Sequence, residues 1–431
     1  MTNWKDRKLG TLGSKTGPII KAGPFGSSLK KEFYVKKGYK IYGQEQVISE
    51  DPSFGDYYVN EKKFNELKSC AVAPGDILIS LVGTFGKMLL LPEKIHPGII
   101  NPRLLRIRAN KEKLRPIYLK YFLESFETQK QLKRMSQGGT MGVINAEILK
   151  SLSILFPPLP EQKKITEILS TWDRAIEKLD VLIKAKKRLK KGLMQQLLTG
   201  KMQFKEFKGS GKYKKTKLGM IPKEWGSCTF GMLGDKKIRW SITGGPFGSD
   251  LKTNDFTEKG VRIIQLQNIG DGEFKADYKI YTSEEKADSL VACNIYADEI
   301  ILSKMGDPVG RACLMPGEDE RYLMASDGIR LVPDKKIFDK YFVLEFINFI
   351  LFRKLVIRHS TGSTRQRIGL ADLKKLPFIM PPLHEQKKIW ATLETLTKTI
   401  STLVQEIKLT KTQKKGLMQQ LFTGKIRIKT P

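Results

Sequence analysis

The sequence predicts an α+β chain in which one unit is written twice: a module of mixed strands and helices, a long helix, a second module and a second long helix, related by an internal pseudo-two-fold repeat. Three observations carry this. Pro157-Pro-Leu-Pro-Glu-Gln-Lys-Lys-Ile165 recurs as Pro381-Pro-Leu-His-Glu-Gln-Lys-Lys-Ile389, an offset of 224 residues. The stretch after each copy carries apolar residues at alternating steps of four and three, the signature of a helix with a heptad seam. The regions upstream diverge but keep their motifs in order, so the repeat covers the whole chain. At about 150 residues per domain, 431 residues predict about three domains, or two with long connectors, rather than a single compact domain.

The first module is predicted over residues 1–156. Its Gly23-Pro-Phe-Gly-Ser-Ser-Leu-Lys30 returns as Gly245-Pro-Phe-Gly-Ser-Asp-Leu-Lys252. Its apolar run Gly75-Asp-Ile-Leu-Ile-Ser80 pairs with Asp298-Glu-Ile-Ile-Leu-Ser303, and Gly138-Gly-Thr140 pairs with Gly362-Ser-Thr364. The first long helix is predicted within 157–201. It starts at a Pro-Pro stop, has Glu161 in its first turn and ends at Gly200; Glu385 and Gly424 do the same in the second copy. The seam consists of Ile165, Leu169, Trp172, Ile176, Leu179 and Ile183, repeated as Ile389, Leu393, Leu396, Ile400, Leu403 and Ile407. Two matching seams in one chain predict helices packed on each other, and about 37 residues at 1.5 Å rise make a rod of roughly 55 Å. The alternative is that each stripe faces its own module. Residues 202–217, with Gly-Ser-Gly and repeated Lys, predict an exposed linker. Trp225 with Leu233-Gly234 repeats Trp4 with Leu12-Gly13, so the second module spans 218–380, and 381–431 form the second helix and tail.

Lys and Arg number 77 against 45 Asp and Glu, a formal net charge of +32, which points to a polyanionic partner. No apolar run reaches the ~20 residues of a membrane span; the longest candidate, 341–352, contains Glu345 and Asn348 and predicts a buried amphipathic helix. The N-terminal residues lack the apolar core of a signal peptide, so a cytoplasmic protein is expected. Cys70, Cys228, Cys293 and Cys313 stand apart, which argues against a disulfide framework and a thiolate zinc site. No catalytic or metal site assembles from the residues. His96, His359 and His384 have no ligand spacing; Gly83-Thr-Phe-Gly-Lys87 fails the phosphate-loop pattern; Glu406-Ile-Lys408 lies inside the heptad helix; and no dinucleotide fingerprint follows a strand.

Two loops are candidates for binding. In the Gly-Pro-Phe-Gly-Ser loops, glycines allow close backbone approach, and Ser27 with Lys30, or Ser249 with Lys252, can hold a phosphate. The other reading is a tight hairpin turn with its Phe buried. Before each long helix lies a Gly-rich loop containing Thr140 or Thr364; the second copy adds Arg365, Gln366 and Arg367, whose donors match guanine and adenine edges or phosphates. Met141, Gly142 and Val143 stand at the matching positions of the first copy, which fits two modules reading different sequences. Lys87, Arg103, Arg106, Lys304 and Arg311 add positive charge near predicted strand ends.

Taken together, the Gly-Pro-Phe-Gly-Ser loops, the Gly-x-Thr before each helix, Pro-Pro-Leu-x-Glu-Gln-Lys-Lys-Ile at its start and Lys-x-Gly-Leu-x-Gln-x-Leu-x-x-Gly-Lys at its end resemble the specificity subunit of type I restriction-modification enzymes over the full chain. The resemblance implies that the modules are target recognition domains, each reading half of a bipartite site in double-stranded DNA. It also implies that the long helices form an antiparallel coiled coil that sets the gap between half-sites and docks two modification (methyltransferase) subunits and the restriction subunits. It assigns no catalysis, metal or cofactor to this chain; S-adenosylmethionine, ATP and Mg belong to the partners. An RNA-binding scaffold would use the charge as well, but no repeated aromatic RNA-recognition strand is present. An adenine methyltransferase would need a polar residue where Phe156 and Met380 precede Pro-Pro.

Overall fold

Ile77–Ser80 and Ile300–Ser303 are buried at every residue, as expected of apolar runs too short for helices and covered on both faces. A four-stranded sheet grows around each. The computed structural model describes residues 4–13, 18–81, 87–136, 145–362 and 365–429. By internal contacts the chain divides into two units, residues 1–182 with 403–431 and residues 183–402. Both boundaries fall within long helices, so each unit owns one half of each helix.

In unit 1, Ile77–Ser80 lies between Leu104–Ile107 and Met88–Leu90, with Ile20–Ala22 at the far edge, all antiparallel. In unit 2, Ile300–Ser303 lies between Gly328–Leu331 and Ala312–Leu314, with Ile242–Gly244 outermost. Each unit has a second sheet built around one parallel pair, Tyr39–Tyr42 with Gly98–Ile100 and Val261–Ile264 with Arg321–Met324. Unit 2 adds the strand Asn294–Tyr296 to that sheet. Strand order thus repeats in segments where the sequence match is weak.

The long helices span Leu159–Leu197 and Leu383–Phe422. Their ends behave as the glycines predict: Gly200 (φ 67°) and Gly424 (φ 70°) are left-handed. The Met202 amide donates to the Gln196 carbonyl at 3.1 Å, and the Ile426 amide to Gln420 at 3.2 Å. Of the seam, Ile165, Leu169, Ile183, Ile389, Leu393 and Ile407 are buried, and Trp172, Ile176, Leu179, Leu396, Ile400 and Leu403 are partly so. Both readings of the stripe apply at its start. Ile165 and Leu169 join the module core of unit 1 together with Met418, Leu421 and Phe422, and Ile389 and Leu393 join that of unit 2 with Leu197 and Leu198. In unit 1 Glu161 pairs with Arg427 and Asp173 with Lys414, so the two helical segments there run in opposite directions.

The repeated Glu-Gln pair explains why this motif is written twice. Gln162 accepts from the Arg115 amide (2.8 Å) and donates to the carbonyls of Lys113 (2.9 Å) and Pro157 (2.8 Å). Gln386 repeats this with the Asp339 amide (2.9 Å), Ile337 (3.0 Å) and Pro381 (2.8 Å). Glu161 accepts from the Trp4 indole at 3.1 Å and Glu385 from Trp225 at 2.8 Å. Each helix start is therefore locked to its module by one amide and one carboxylate, all buried.

The two carboxylates differ in their third partner. Arg427 forks onto Glu161 with two 2.8 Å bonds, whereas Gln203 reaches Glu385 at 3.2 Å. The Arg427 guanidinium holds Glu161 below the usual carboxylate range, and burial pushes Glu385 above it. Ionised Glu161 stabilises unit 1 at neutral pH, and this is lost as pH falls through its lowered folded value. Folded Glu385 holds its proton more tightly than unfolded Glu385, so its contribution declines as pH rises from the ordinary glutamate value through the raised one. Glu161→Gln should lower the unfolding temperature of unit 1 at pH 7 by about 2–5 °C, whereas Glu385→Gln should leave unit 2 as stable or more so. Thermal unfolding from pH 4 to 8 checks this, and shifts of the same sign at pH 7 would overturn it.

Three expectations are corrected. The 341–352 stretch is split: Lys340–Asn348 and Ile350–Arg358 are separate helices meeting at the extended residue Phe349. The segment 202–217 carries regular structure, because Tyr213–Thr216 pairs with Gly219–Pro222 across the expected boundary, turning at Gly219 (φ 105°). Arg106 is buried at 4% exposure beside Asp76 and donates to the carbonyls of Ser69 and Ala71. It belongs to the core, like Arg330, which forks onto Glu299. Among the described residues no helix is long and apolar enough to cross a membrane.

Candidate nucleic-acid interface

In unit 2 three loops converge at one end of the central sheet. The loop after Ile300–Ser303 folds back on itself, the Ser303 amide donating to the Arg311 carbonyl (2.7 Å) and the Arg311 amide to Ser303 Oγ (2.9 Å). On a second loop Thr361 and Arg367 exchange reciprocal 2.9 Å main-chain bonds, and Gly362 is left-handed (φ 97°). This loop is stitched to the first by Ile368 N–H to the Lys304 carbonyl (2.9 Å) and Gly306 N–H to the Gln366 carbonyl (3.1 Å). The third loop supplies Asp327, whose carbonyl accepts from the Lys304 amide at 2.6 Å.

Lys304, Arg311, Gln366 and Arg367, distant in sequence, are thereby brought onto adjoining loops. Arg365 is exposed beside Gln366 and Arg367. Asp327 Oδ1 lies 3.1 Å from Arg367 Nη2, an ion pair without hydrogen-bond alignment. Burial, reinforced by the Arg367 charge, pulls the Lys304 ammonium below the ordinary lysine range, with Asp327 opposing. Lys304 and Arg367 against the single carboxylate of Asp327 leave net positive charge on these loops, which favours an anion.

The Gly-Pro-Phe-Gly-Ser loop of unit 2 borders this cluster. Its Gly245 amide donates to the Gly328 carbonyl at 2.9 Å. A cavity of about 280 Å³ is lined by Pro246, Phe247, Gln265, Gln267, Ser326 and Asp327, among others. Ser249 and Lys252 are exposed on the continuation of the loop; Ser249 Oγ lies 3.3 Å from Asp250.

Unit 1 repeats the framework with other side chains. The Ser80 amide donates to the Lys87 carbonyl (3.2 Å) and the Leu81 amide to the Arg103 carbonyl (3.0 Å). Leu81 and Arg103 therefore stand where unit 2 has Lys304 and Asp327. Lys87 and Arg103 are exposed, as are Ser27 and Lys30, and Lys30 lies 3.8 Å from Glu32. Thr140 and Thr364, like Met141, Gly142, Val143 and the stretch 83–86, lie outside the described residues.

Sequence reasoning missed Asp327, Gln265 and Gln267, because nothing in their spacing announces that Asp327 lies beside residues 304 and 367 or that the two glutamines share a cavity wall with it. It missed the roles of Trp4 and Trp225 as well, although their equal distance from the Leu-Gly pairs was a usable signal. The reading in which the loop buries its Phe is excluded, since Phe25 is 88% exposed and Phe247 82%.

The family described as the type I restriction modification DNA specificity domain matches residues 1–187 and 252–410. A putative type I restriction enzyme MjaX specificity subunit from Methanocaldococcus jannaschii is 29% identical over 382 residues, covering 86% of this chain and 83% of the relative. A chain from a structure concerned with complex assembly and conformational transition of the type I R-M system superposes with a TM-score of 0.60 at 16% identity, over 97% of both chains. The type I restriction-modification S subunit of M. genitalium gives a TM-score of 0.53 at 17% identity, over 98% of this chain and 96% of that one. At such identities the superpositions speak for the fold alone. The family match spans most of the chain, and it agrees with a duplicated module whose basic loops gather at the end of each central sheet: the chain belongs to the specificity subunits of type I restriction-modification systems, the non-catalytic components that recognise DNA sequence.

Proposed function

We propose that this chain reads a bipartite site in double-stranded DNA, one half-site per module, while its two long helices pair as an antiparallel coiled coil that sets the gap. The carrying observation is that both units repeat one framework of strands and loop hydrogen bonds but differ at the loop tips, with Lys304 and Asp327 answering to Leu81 and Arg103. A shared framework with different tips suits two readers of one polymer with different preferences. Lys87, Arg103, Arg311 and Arg367 serve as phosphate or base contacts, with Ser27, Lys30, Ser249 and Lys252 on the flanking loops. The helices dock two modification subunits and, with them, the restriction subunits. S-adenosylmethionine, ATP and Mg act on those partners, and the complex works in the cytoplasm.

Co-expression with a modification subunit, followed by genome-wide mapping of methylated adenines, tests this reading. A bipartite motif is expected, and methylation without sequence preference would refute it. Exchanging residues 1 to about 150 should change one half-site only. Inserting one helical turn after both Ile176 and Ile400 adds about 5.4 Å to each helix and should widen the preferred gap by about one to two base pairs; an unchanged gap would sink the spacer role.

A further inference from the structure

Both Gly-Pro-Phe-Gly-Ser loops hold an aromatic ring out in solvent, Phe25 at 88% exposure and Phe247 at 82%. An exposed phenyl forfeits the gain that ordinarily puts Phe in a core, and here it does so at the same place in both modules. Neither ring hangs from a loose segment. The Ser28 amide donates to the Phe25 carbonyl at 2.8 Å and the Asp250 amide to that of Phe247 at 2.9 Å, and the preceding Pro24 and Pro246 are buried.

The glycines divide into two kinds. Gly23 and Gly245 press against the carbonyl oxygens of Asn101 and Ala325, where a Cβ would stand 1.9 Å away, so packing demands them. At Gly26 and Gly248 a Cβ would meet nothing within 4 Å, and neither has a positive φ. The fold gives no reason for these two. An open glycine beside an exposed ring clears the way for a ligand to come close to the backbone.

The surrounding charge identifies that ligand. Phe247 shares its cavity wall with Asp327, the carboxylate beside Arg367 and Lys304. In unit 1 the Asn101 carbonyl that receives Gly23 lies two residues from exposed Arg103. An exposed aromatic ring whose cavity borders the Asp327–Arg367 pair, in a chain of formal charge +32, fits a base stack flanked by phosphates better than an apolar protein groove.

Resting on the DNA-reading function proposed above, we infer that Phe25 and Phe247 are wedges, each inserting its ring into the base stack of its own half-site and unstacking one step there. Because the ring is common to both modules, it acts on what the half-sites share, while the differing cations read what distinguishes them.

The test uses the full chain assembled with its modification subunits and a duplex carrying the mapped site, with 2-aminopurine placed at successive positions in one half-site or the other. Wild-type complex should raise the fluorescence at one step in each half-site. Phe25→Ala should abolish the rise in one half-site only and Phe247→Ala in the other, each weakening binding about tenfold or more. Phe25→Trp and Phe247→Trp should restore both signals. Since the rings are exposed, the alanine variants should fold and assemble normally. Specific binding by wild type with no fluorescence rise at any position overturns the wedge and leaves DNA reading intact. Alanine variants that bind modification subunits poorly assign the rings to a protein interface instead. Absence of specific binding by the wild-type complex would defeat the DNA-reading function itself, and the wedge with it.

Discussion

Replacing Lys304, Arg365 and Arg367 together with alanine should lower the affinity of the assembled complex for its site by roughly 100- to 1,000-fold at physiological salt. The three cations sit on loops that hydrogen bonds through main-chain atoms hold in place, so truncating their side chains leaves the scaffold intact. Among the described residues, Asp327 is the acid that pairs with this cluster, through Arg367. If all three contact phosphate, the slope of log affinity against log salt should flatten by up to about 2.7; a residue that reads a base edge instead relaxes preference in the second half-site. Anisotropy titrations across a salt series decide between these. An affinity within twofold of wild type with an unchanged slope would remove this cluster from the interface. Arg365 and Arg367 are exposed and Lys304 is half-buried, so these side chains carry little of the folding energy and the unfolding transition should move only slightly.

Trp225→Ala should destabilise unit 2 by about 3–5 kcal/mol. The indole is fully buried in the core that also holds Leu197, Leu198, Ile389 and Leu393. Truncation opens a cavity and strips Glu385 of its 2.8 Å donor. Trp225→Phe isolates the second effect, because the ring fills much of the volume but donates no hydrogen bond; about 1–3 kcal/mol is expected. Trp4→Ala should act on unit 1 more mildly, since Trp4 is 9% exposed and Glu161 keeps Arg427. Hydrogen exchange resolved by segment measures each unit separately. Protection lost equally from both units in Trp225→Ala would contradict the separate cores.

The repeat, the phase of the helical stripe and the terminal glycines were legible because each depends on residues near one another in sequence. Heptad spacing puts Ile165 and Leu169 on one helix face whatever lies opposite, and Gly200 or Gly424 answers a backbone need at its own position. The site was legible only as a list. Lys304 and Arg311 were singled out as charges near strand ends, as was Arg106, and Arg367 as a donor in the Gly-rich loop before the second helix. The core buried Arg106 against the Ser69 and Ala71 carbonyls beside Asp76, whereas Lys304 and Arg311 stay half-buried and Arg367 exposed. Nothing local separates these fates, since an arginine in a strand reads the same whether its neighbour across the sheet is an acid or solvent.

The Phe of the Gly-Pro-Phe-Gly-Ser loop shows the same division more sharply. Local chemistry required a tight turn there, and the turn formed. Whether its ring points into the core or out depended on Gly23 and Gly245 pressing against strand-end carbonyls more than 70 residues away in sequence. The amino-acid order therefore settled the duplication, the helices and the identity of the charged groups, all of which rest on short-range periodicity. Strand register settled which cations meet, which are buried and which rings stay exposed, because those outcomes depend on contacts between residues that spacing along the chain does not relate.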